Sequence, residues 1–235
     1  MQVISCAAVD LVALGKNSEC ILMGIHVRIS DIDVRAEEML NAISDTSWID
    51  GFGAVKKIAF QARAKRTVAK LVELIKSRSS SSLSTDFGEY LVSDSAQCVL
   101  DSSCSHTKVP LAELLKEKVS GNPGFDFHTE SQTGFIAFGE AKYSGKRSPY
   151  TKALEQIIDF IGLEKDSAEL DLLENFVSAE AVQRYIEGHK AYVAAFSINS
   201  DDPAGVLTSA ISHAFTDKLL GYRELYLIGV EIDAG

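Results

Sequence analysis

The chain has 235 residues, 46% of them hydrophobic and 24% charged, and its formal net charge is −10 at pH 7, which is typical of a soluble globular protein. No apolar run reaches the roughly 18 residues of a membrane-spanning helix, so we expect no membrane span. The apolar N-terminal stretch contains Asp10 and lacks a basic segment, so we expect no secretory signal. The four cysteines form no CxxC pair, which favours a reducing cytoplasm over a disulfide scaffold.

The first part of the chain is predicted to form an N-terminal accessory region, residues 1–80, that packs against the core or a partner. CILMGIHVRI at 20–29 is typical of a strand and DIDVRAEEMLNAI of a helix, and GFG at 51–53 is a break. A long helix is predicted from Val55 to Ile75, with an apolar face at Ile58, Ala62, Val68, Leu71, Val72 and Ile75. The serine-rich stretch at 77–85 marks the boundary with the second part.

The predicted long helix is also strongly basic. Eight basic residues and one acidic residue lie between positions 56 and 78, so this segment carries +7 and the rest of the chain −17. Because salt limits the reach of distant charges to about 10 Å, such a face can contact phosphates, although a solvated helix face is the simpler interpretation. The basic residues are Lys56, Lys57, Arg63, Lys65, Arg66, Lys70, Lys76 and Arg78.

The second part, residues 81–235, is predicted to be an α/β domain with a mixed sheet flanked by helices, because helices and strands alternate along it. Its expected elements are a helix capped by Ser84 or Thr85, a helix at 110–119, a hairpin at 124–143, a helix at 148–162 capped by Ser148, an acidic helical stretch at 166–187, a strand at 190–198, a helix at 202–221 and a strand at 224–232.

The hairpin carries the residues that suggest chemistry. Glu140 and Lys142 are two positions apart in FIAFGEAKYSGK, so a strand places both side chains on one face. Hairpin pairing brings Asp126 towards the same end, and Glu89 can reach it from the preceding helix. Converging carboxylates repel one another unless a cation lies between them, and such oxygen-rich sites suit Mg²⁺ or Mn²⁺. Lys142 would then position or help to deprotonate the attacking water and offset charge on a phosphodiester.

Residues 84–160 resemble the PD-(D/E)xK nuclease superfamily, in the variant that adds an acid on the first helix. The resemblance rests on Gly88-Glu89, Gly124-Phe125-Asp126 and Glu140-Ala141-Lys142, with thirteen residues between Asp126 and Glu140. Through GFDF, FGEAKYS and LYLIGVEI the chain is most similar to the HamA family, the nuclease component of Hachiman anti-phage systems. The resemblance implies a restriction-endonuclease-like fold, Mg²⁺-dependent DNA cleavage and a partner helicase, HamB, that restrains the nuclease.

This interpretation assigns specific residues to the site. Asp126, Glu140 and Glu89 are the expected ligands of Mg²⁺, with Mn²⁺ able to substitute, and Lys142 and Gln156 complete the catalytic set. The chain contains neither a Walker A loop nor a base-reading module, so we expect no nucleotide binding and little sequence specificity. The candidate phosphate contacts are Lys56, Lys57, Arg63, Lys65, Arg66 and Lys146.

Two alternatives remain open at this stage. The chain could be a repair or junction-resolving nuclease with the same site, or a catalytically silent adaptor that binds DNA or the helicase. A lone Glu-Ala-Lys is most often a surface ion pair, and only its context favours catalysis. His128 is expected to be exposed where the hairpin turn starts. Cys98, Cys104 and His106 are expected to be ordinary side chains rather than a zinc site.

Overall fold

A seven-stranded mixed sheet forms the centre of the computed structural model, which describes residues 1–76, 83–110, 112 and 124–233. Across the sheet the strand order is β1 (Gln2–Ala8), β2 (Ile21–Ile29), β7 (Glu224–Ile232), β6 (Ala191–Ile198), β5 (Ile136–Lys142), β4 (Phe127–Glu130) and β3 (Thr107–Lys108). The four inner strands β2, β7, β6 and β5 are parallel, and the outer strands pair antiparallel. The expected mixed α/β architecture is confirmed.

The first two strands belong to the same sheet as the rest. Ile21 in β2 lies opposite Glu224 in β7, and the parallel register continues to Ile29 and Ile232. The boundary proposed near residue 80 is therefore a change in sequence character that does not divide the sheet.

Helices cover both faces of the sheet. They are α1 (Ile32–Ser44), α2 (Ala54–Lys76), α3 (Thr85–Cys104), α4 (Tyr150–Gly162), α5 (Lys165–Ala168), α6 (Leu170–Leu173), α7 (Ala179–Ile186), α8 (Pro203–Ile211) and α9 (Ala214–Leu219), with a 3₁₀ turn at Ser47–Ile49. The helix predicted at 110–119 lies outside the described residues, apart from Pro110 and Ala112. Of the helices that the structure describes, none combines the length and apolar character that crossing a membrane takes.

The hydrophobic core has two layers, one on each face of the sheet. On one face, Phe138 of β5 packs with residues of α4, α8 and α9, and on the other face Ala137 and Ala141 of β5 pack with residues of α1 and α3. Burying each large apolar side chain stabilises the fold by roughly 1.5–3 kcal/mol. Strand β5, apolar on both faces up to Glu140, therefore holds its polar end in a fixed place.

Helix α2 buries the predicted face only in its C-terminal half. Its buried residues are Phe60, Ala64, Leu71 and Ile75, whereas Ile58 is 68% exposed. Phe60 determines which side of the N-terminal half of α2 faces the core. Its ring packs against Trp48 at a centroid distance of 5.6 Å and also contacts Phe52 and Phe176. Phe60 and Ala64 belong to one core layer, and Leu71 and Ile75 to the other, so α2 passes from one face of the sheet to the other.

Three details of the predicted helices are wrong. Ser148 does not cap α4, because its Oγ accepts a hydrogen bond from the Asn199 N–H at 3.1 Å. The helix expected at 202–221 is interrupted, and His213 Nδ1 accepts from the Phe215 N–H to begin α9. The acidic stretch forms three short helices, α5 to α7, instead of one long helix.

Candidate active site

Glu140 and Lys142 lie at the C-terminal end of β5, on the side of the sheet where the parallel strands end. Lys142 Nζ is 2.5 Å from Glu140 Oε1, and Glu140 is 1% exposed. The neighbouring position on β6 is Ala194, opposite Glu140, and its small side chain leaves room for the carboxylate. The predicted pairing of one acid and one base at this strand end is confirmed.

Asp126 is held against the same strand end by its backbone and its side chain. Its N–H donates to the Gly139 carbonyl at 2.9 Å, and its Oδ2 accepts from the Ala141 N–H at 2.9 Å. The carboxylate thereby extends the hydrogen bonding of the hairpin by one position beyond β4 and is fixed beside Glu140.

The two phenylalanines that flank Asp126 lie on different faces of the sheet. Phe125 packs with Phe138 and Phe160, each at a centroid distance of 5.2 Å, in one core layer, and Phe127 lies in the other. The chain bends at Asp126 before β4 begins, which breaks the alternation of a regular strand. The two rings therefore anchor this bend from both sides of the sheet.

The surroundings of the Glu140 carboxyl favour its protonated form. Burial and the adjacent Asp126 carboxylate raise the pKa of Glu140 well above its usual range, and Lys142 offsets only part of this rise. When protonated, Glu140 forms a hydrogen bond with Asp126. When ionised, its buried Oε2 receives no hydrogen bond from any residue that the structure describes. A buried carboxylate oxygen without a donor is a position that a cation would stabilise.

Lys142 remains charged in spite of its partial burial. Burial lowers the pKa of Lys142, but attraction to Glu140, Asp126 and Glu89 outweighs burial, and the net change is upward. The amine is therefore an ammonium at neutral pH, so it cannot serve as a general base in this state. It can orient a water molecule or a phosphate oxygen through its hydrogen-bond donors.

Glu89 approaches Lys142 from α3. Its Oε1 is 3.9 Å from Lys142 Nζ, and its side chain is 35% exposed. The approach depends on Gly88, because a Cβ built there would lie 2.2 Å from the Tyr143 ring. Helix α3 begins at Ser84, whose Oγ accepts from the Phe87 N–H, as the sequence predicted. Gly88 and the Ser84 cap together place the first turn of α3 against the end of β5.

Two carboxylates of this cluster, those of Asp126 and Glu140, could bind a divalent cation. Among the residues that the structure describes, no group of three or more His, Cys, Asp and Glu side chains could hold a metal ion. Glu89 contacts Lys142, and its role as a ligand remains a prediction. Mg²⁺ commonly takes only one or two protein carboxylates and completes its shell with water and substrate phosphate. Asp126 and Glu140 supply such a pair.

The remaining predicted residues lie on α2, on α4 and in the loop after β5. Gln156 is half-buried on α4. Lys56 donates to Asn175 Oδ1 and Lys57 pairs with Asp50, both at 2.6 Å, and Arg63 lies over the Phe60 ring. Three of the predicted basic residues are exposed: Lys65 and Arg66 on α2, and Lys146 in the loop after β5.

Two residues near Asp126 were missed by the sequence reasoning. His128, expected to be exposed, is fully buried, and its Nε2 is 2.7 Å from Glu169 Oε2. Glu169 Oε1 also accepts from the Phe125 N–H at 3.1 Å. One buried carboxylate therefore binds the chain on both sides of Asp126. The only signal in the sequence was the position of His128 directly after Phe127 in a short predicted strand.

No protein-family model, curated protein or solved structure matches this chain. The geometry of Asp126, Glu140, Lys142 and Glu89 is therefore the basis on which a function can be proposed.

Proposed function

We propose that the chain is a Mg²⁺-dependent deoxyribonuclease with a PD-(D/E)xK type of site. The observation that carries this proposal is the buried Glu140 carboxyl in hydrogen-bond contact with Asp126 and 2.5 Å from the Lys142 ammonium. A structural ion pair has no need of a second carboxyl in contact with the first, because two carboxylates at such short range repel each other. Converging acids beside a cation are the arrangement that phosphodiester hydrolysis uses.

The residues of the chain have distinct tasks in this reaction. Asp126 and Glu140 would hold Mg²⁺, which when bound supplies Lewis acidity and lowers the pKa of water. Lys142 orients the attacking water and donates hydrogen bonds to the nonbridging oxygens, where negative charge increases as the new P–O bond forms and the ester P–O bond breaks. Glu89 helps to hold the Lys142 ammonium in place from α3.

The charge distribution supports a nucleic-acid substrate that is delivered by a partner. Lys65, Arg66 and Lys146 are exposed and can contact phosphates without regard to base sequence. The rest of the chain is strongly acidic, which opposes unaided binding of duplex DNA. We therefore propose a helicase partner of the HamB kind, within an anti-phage defence system, that brings DNA to the site and restrains it otherwise.

Nicking of supercoiled plasmid in the presence of Mg²⁺ tests the site. We expect Glu140→Gln and Lys142→Met each to reduce the rate by about 100-fold or more, as removal of a charge-stabilising group does. Glu37→Gln and Lys218→Met, which change exposed residues on α1 and α9, serve as matched controls and should retain the rate of the unaltered chain. Chelation by EDTA should abolish nicking, and Mn²⁺ should restore it.

Two outcomes would overturn the proposal. Equal nicking by the unaltered chain and both site variants would mean that the activity comes from another site or from a contaminant. Absence of nicking by the unaltered chain, with either metal and with the helicase and its DNA supplied, would favour an adaptor that binds without cleaving.

A further inference from the structure

Two free thiols from distant parts of the chain lie in contact. Cys6 Sγ and Cys104 Sγ are 3.9 Å apart, and the two residues are 98 positions apart in sequence. Cys6 lies on the edge strand β1, and Cys104 is the last residue of α3. Both are partly exposed and neither is in a disulfide. The contact therefore joins the edge of the sheet to the helix that crosses one of its faces, at a place that small reagents can reach.

The local backbone allows the two sulfur atoms to approach further. A disulfide requires an S–S distance of about 2.05 Å, so the atoms must move closer by about 2 Å. The register between β1 and β2 shifts between Val3 and Ser5, next to Cys6, and such irregularities loosen the pairing of an edge strand. Cys104 is followed by Ser105, where α3 ends in a left-handed conformation, so its side chain is not confined by a further turn of helix.

The other two cysteines have different surroundings. Cys98 lies 3.3 Å from the Arg35 guanidinium, which donates to its sulfur. Cys20 is 7% exposed, and burial raises its pKa to about 12. Among the described residues, only Cys6 and Cys104 form a recorded contact between two sulfur atoms.

We propose that Cys6 and Cys104 are a modification site that forms a reversible intramolecular disulfide with a small-molecule disulfide such as oxidised glutathione. The bond would tie β1 to the end of α3. This bond would stabilise β1 more than an inner strand, because no strand in the described part of the chain pairs with its outer edge. Most of its side chains are also exposed.

The exchange is balanced in two steps. The Cys6 thiolate attacks one sulfur of oxidised glutathione, and one glutathione leaves as a thiolate that takes up the proton lost by Cys6. The Cys104 thiolate then attacks the Cys6 sulfur of the mixed disulfide, and the second glutathione leaves with the proton of Cys104. Burial, with a smaller contribution from the neighbouring Cys6, raises the pKa of Cys104 to about 12, and exchanging the order of the two thiols leaves the balance unchanged. Both protein thiols are oxidised, and one glutathione disulfide is reduced to two thiols.

Incubation of the full chain in glutathione buffers of increasing oxidised fraction tests this inference. After acid quenching and alkylation, peptide mapping should show Cys6 linked to Cys104 in the unaltered chain and in Cys98→Ser, but no such link in Cys6→Ser or Cys104→Ser. The oxidised chain should melt higher than the reduced one by roughly 5–15 °C, because the bond closes a long loop. Plasmid nicking is not expected to change, so this test is independent of the proposed function.

The result that would overturn the inference is equally direct. Absence of the Cys6–Cys104 link in the unaltered chain under excess oxidised glutathione would refute it, as would a dominant link to Cys20 or Cys98 or between two chains. Because the mapping is made on the unaltered chain, a serine variant that fails to fold would not obscure the outcome.

Discussion

At the scale of single residues, Asp126 is positioned by groups that do not belong to the cluster itself. His128 and Glu169 are buried together, and Glu169 also accepts the Phe125 N–H. A buried carboxylate costs several kcal/mol unless its hydrogen bonds are satisfied. Because the two partners of Glu169 lie before and after Asp126, the same interactions that satisfy Glu169 also fix the bend at Asp126.

Removal of the imidazole should therefore destabilise the chain. We expect His128→Leu to lower the free energy of unfolding by at least about 2 kcal/mol, because Glu169 is left buried without one of its partners. The double variant His128→Leu/Glu169→Leu should be more stable than His128→Leu alone, since it removes the unpaired carboxyl as well. Urea denaturation of both variants is the measurement. A single variant as stable as the unaltered chain would contradict the prediction.

His106 should make stability depend on pH. It is 3% exposed, its Nδ1 is 2.8 Å from Thr129 Oγ1, and burial lowers its pKa from 6.5 to about 4. The unfolded chain therefore binds the proton at a higher pH than the folded chain. The contribution of His106 is complete above pH 6.5, decreases as the pH falls, and is lost by about pH 4, with a total of about 3 kcal/mol.

The comparison that isolates His106 is the difference between the unaltered chain and His106→Gln in urea denaturation at pH 7, 5.5 and 4. Other titrating groups act in both proteins and cancel. We expect the advantage of the unaltered chain to shrink towards pH 4. An advantage that stays constant over this range would show that His106 does not titrate as proposed.

At the scale of elements, two glycines set how closely the parts of the candidate site approach. A Cβ built at Gly139 would lie 2.3 Å from the Phe127 ring, and one at Gly88 would lie 2.2 Å from the Tyr143 ring. Both distances are shorter than any real contact of a Cβ atom. The two glycines therefore permit close packing of β4 against β5 and of α3 against the end of β5.

An alanine at position 88 should separate α3 from β5. We expect Gly88→Ala to lower the free energy of unfolding by about 1–3 kcal/mol and to weaken the contact between Glu89 and Lys142. Gly162→Ala is the matched control, because a Cβ at the end of α4 meets no atom within 4 Å and should be neutral or slightly stabilising. Thermal unfolding of both variants checks the prediction, and equal melting temperatures would contradict it.

The element types could be predicted from local patterns, whereas several details could not. Short apolar runs marked β2, β5, β6 and β7, and Ser84 or Thr85 marked the start of α3. The prediction that Ser148 caps α4 was wrong, because its hydroxyl accepts a hydrogen bond from the N–H of Asn199, which is distant in sequence. The buried face was predicted wrongly in the N-terminal half of α2, because Phe60 packs there against the rings of Trp48, Phe52 and Phe176. Both errors come from tertiary contacts that no local pattern contains.

At the scale of the whole molecule, the uneven charge should keep DNA binding weak. We expect the purified chain to bind duplex DNA in the range of about 10⁻⁴–10⁻⁶ M at physiological salt, as nonspecific binders do. Lys65→Glu/Arg66→Glu should weaken binding equally for all sequences and reduce its salt dependence. Lys218→Glu, an exposed residue on α9, is the control. Fluorescence anisotropy at several salt concentrations measures both effects, and submicromolar binding would contradict the prediction.

The pairing of Glu140, Lys142 and Asp126 followed from strand alternation and hairpin geometry, since each residue is close to the others in sequence. The anchoring by Glu169 could not be predicted, because Glu169 lies in an acidic stretch with no distinguishing spacing. The order of the strands in the sheet could not be predicted either. Nothing in the opening residues indicates that β2 pairs with β7, because parallel neighbours are brought together by the fold as a whole.

The place of β7 has a consequence for biosynthesis. Because β7 lies between β2 and β6, a nascent chain exposes the inner edge of β2 on the ribosome until residues 224–232 have left the exit tunnel. Pairing between such distant segments is slow, so the sheet closes after translation has passed this point. Until β7 has paired, the carboxylate pair of the proposed DNA-cutting site is not backed by a complete sheet.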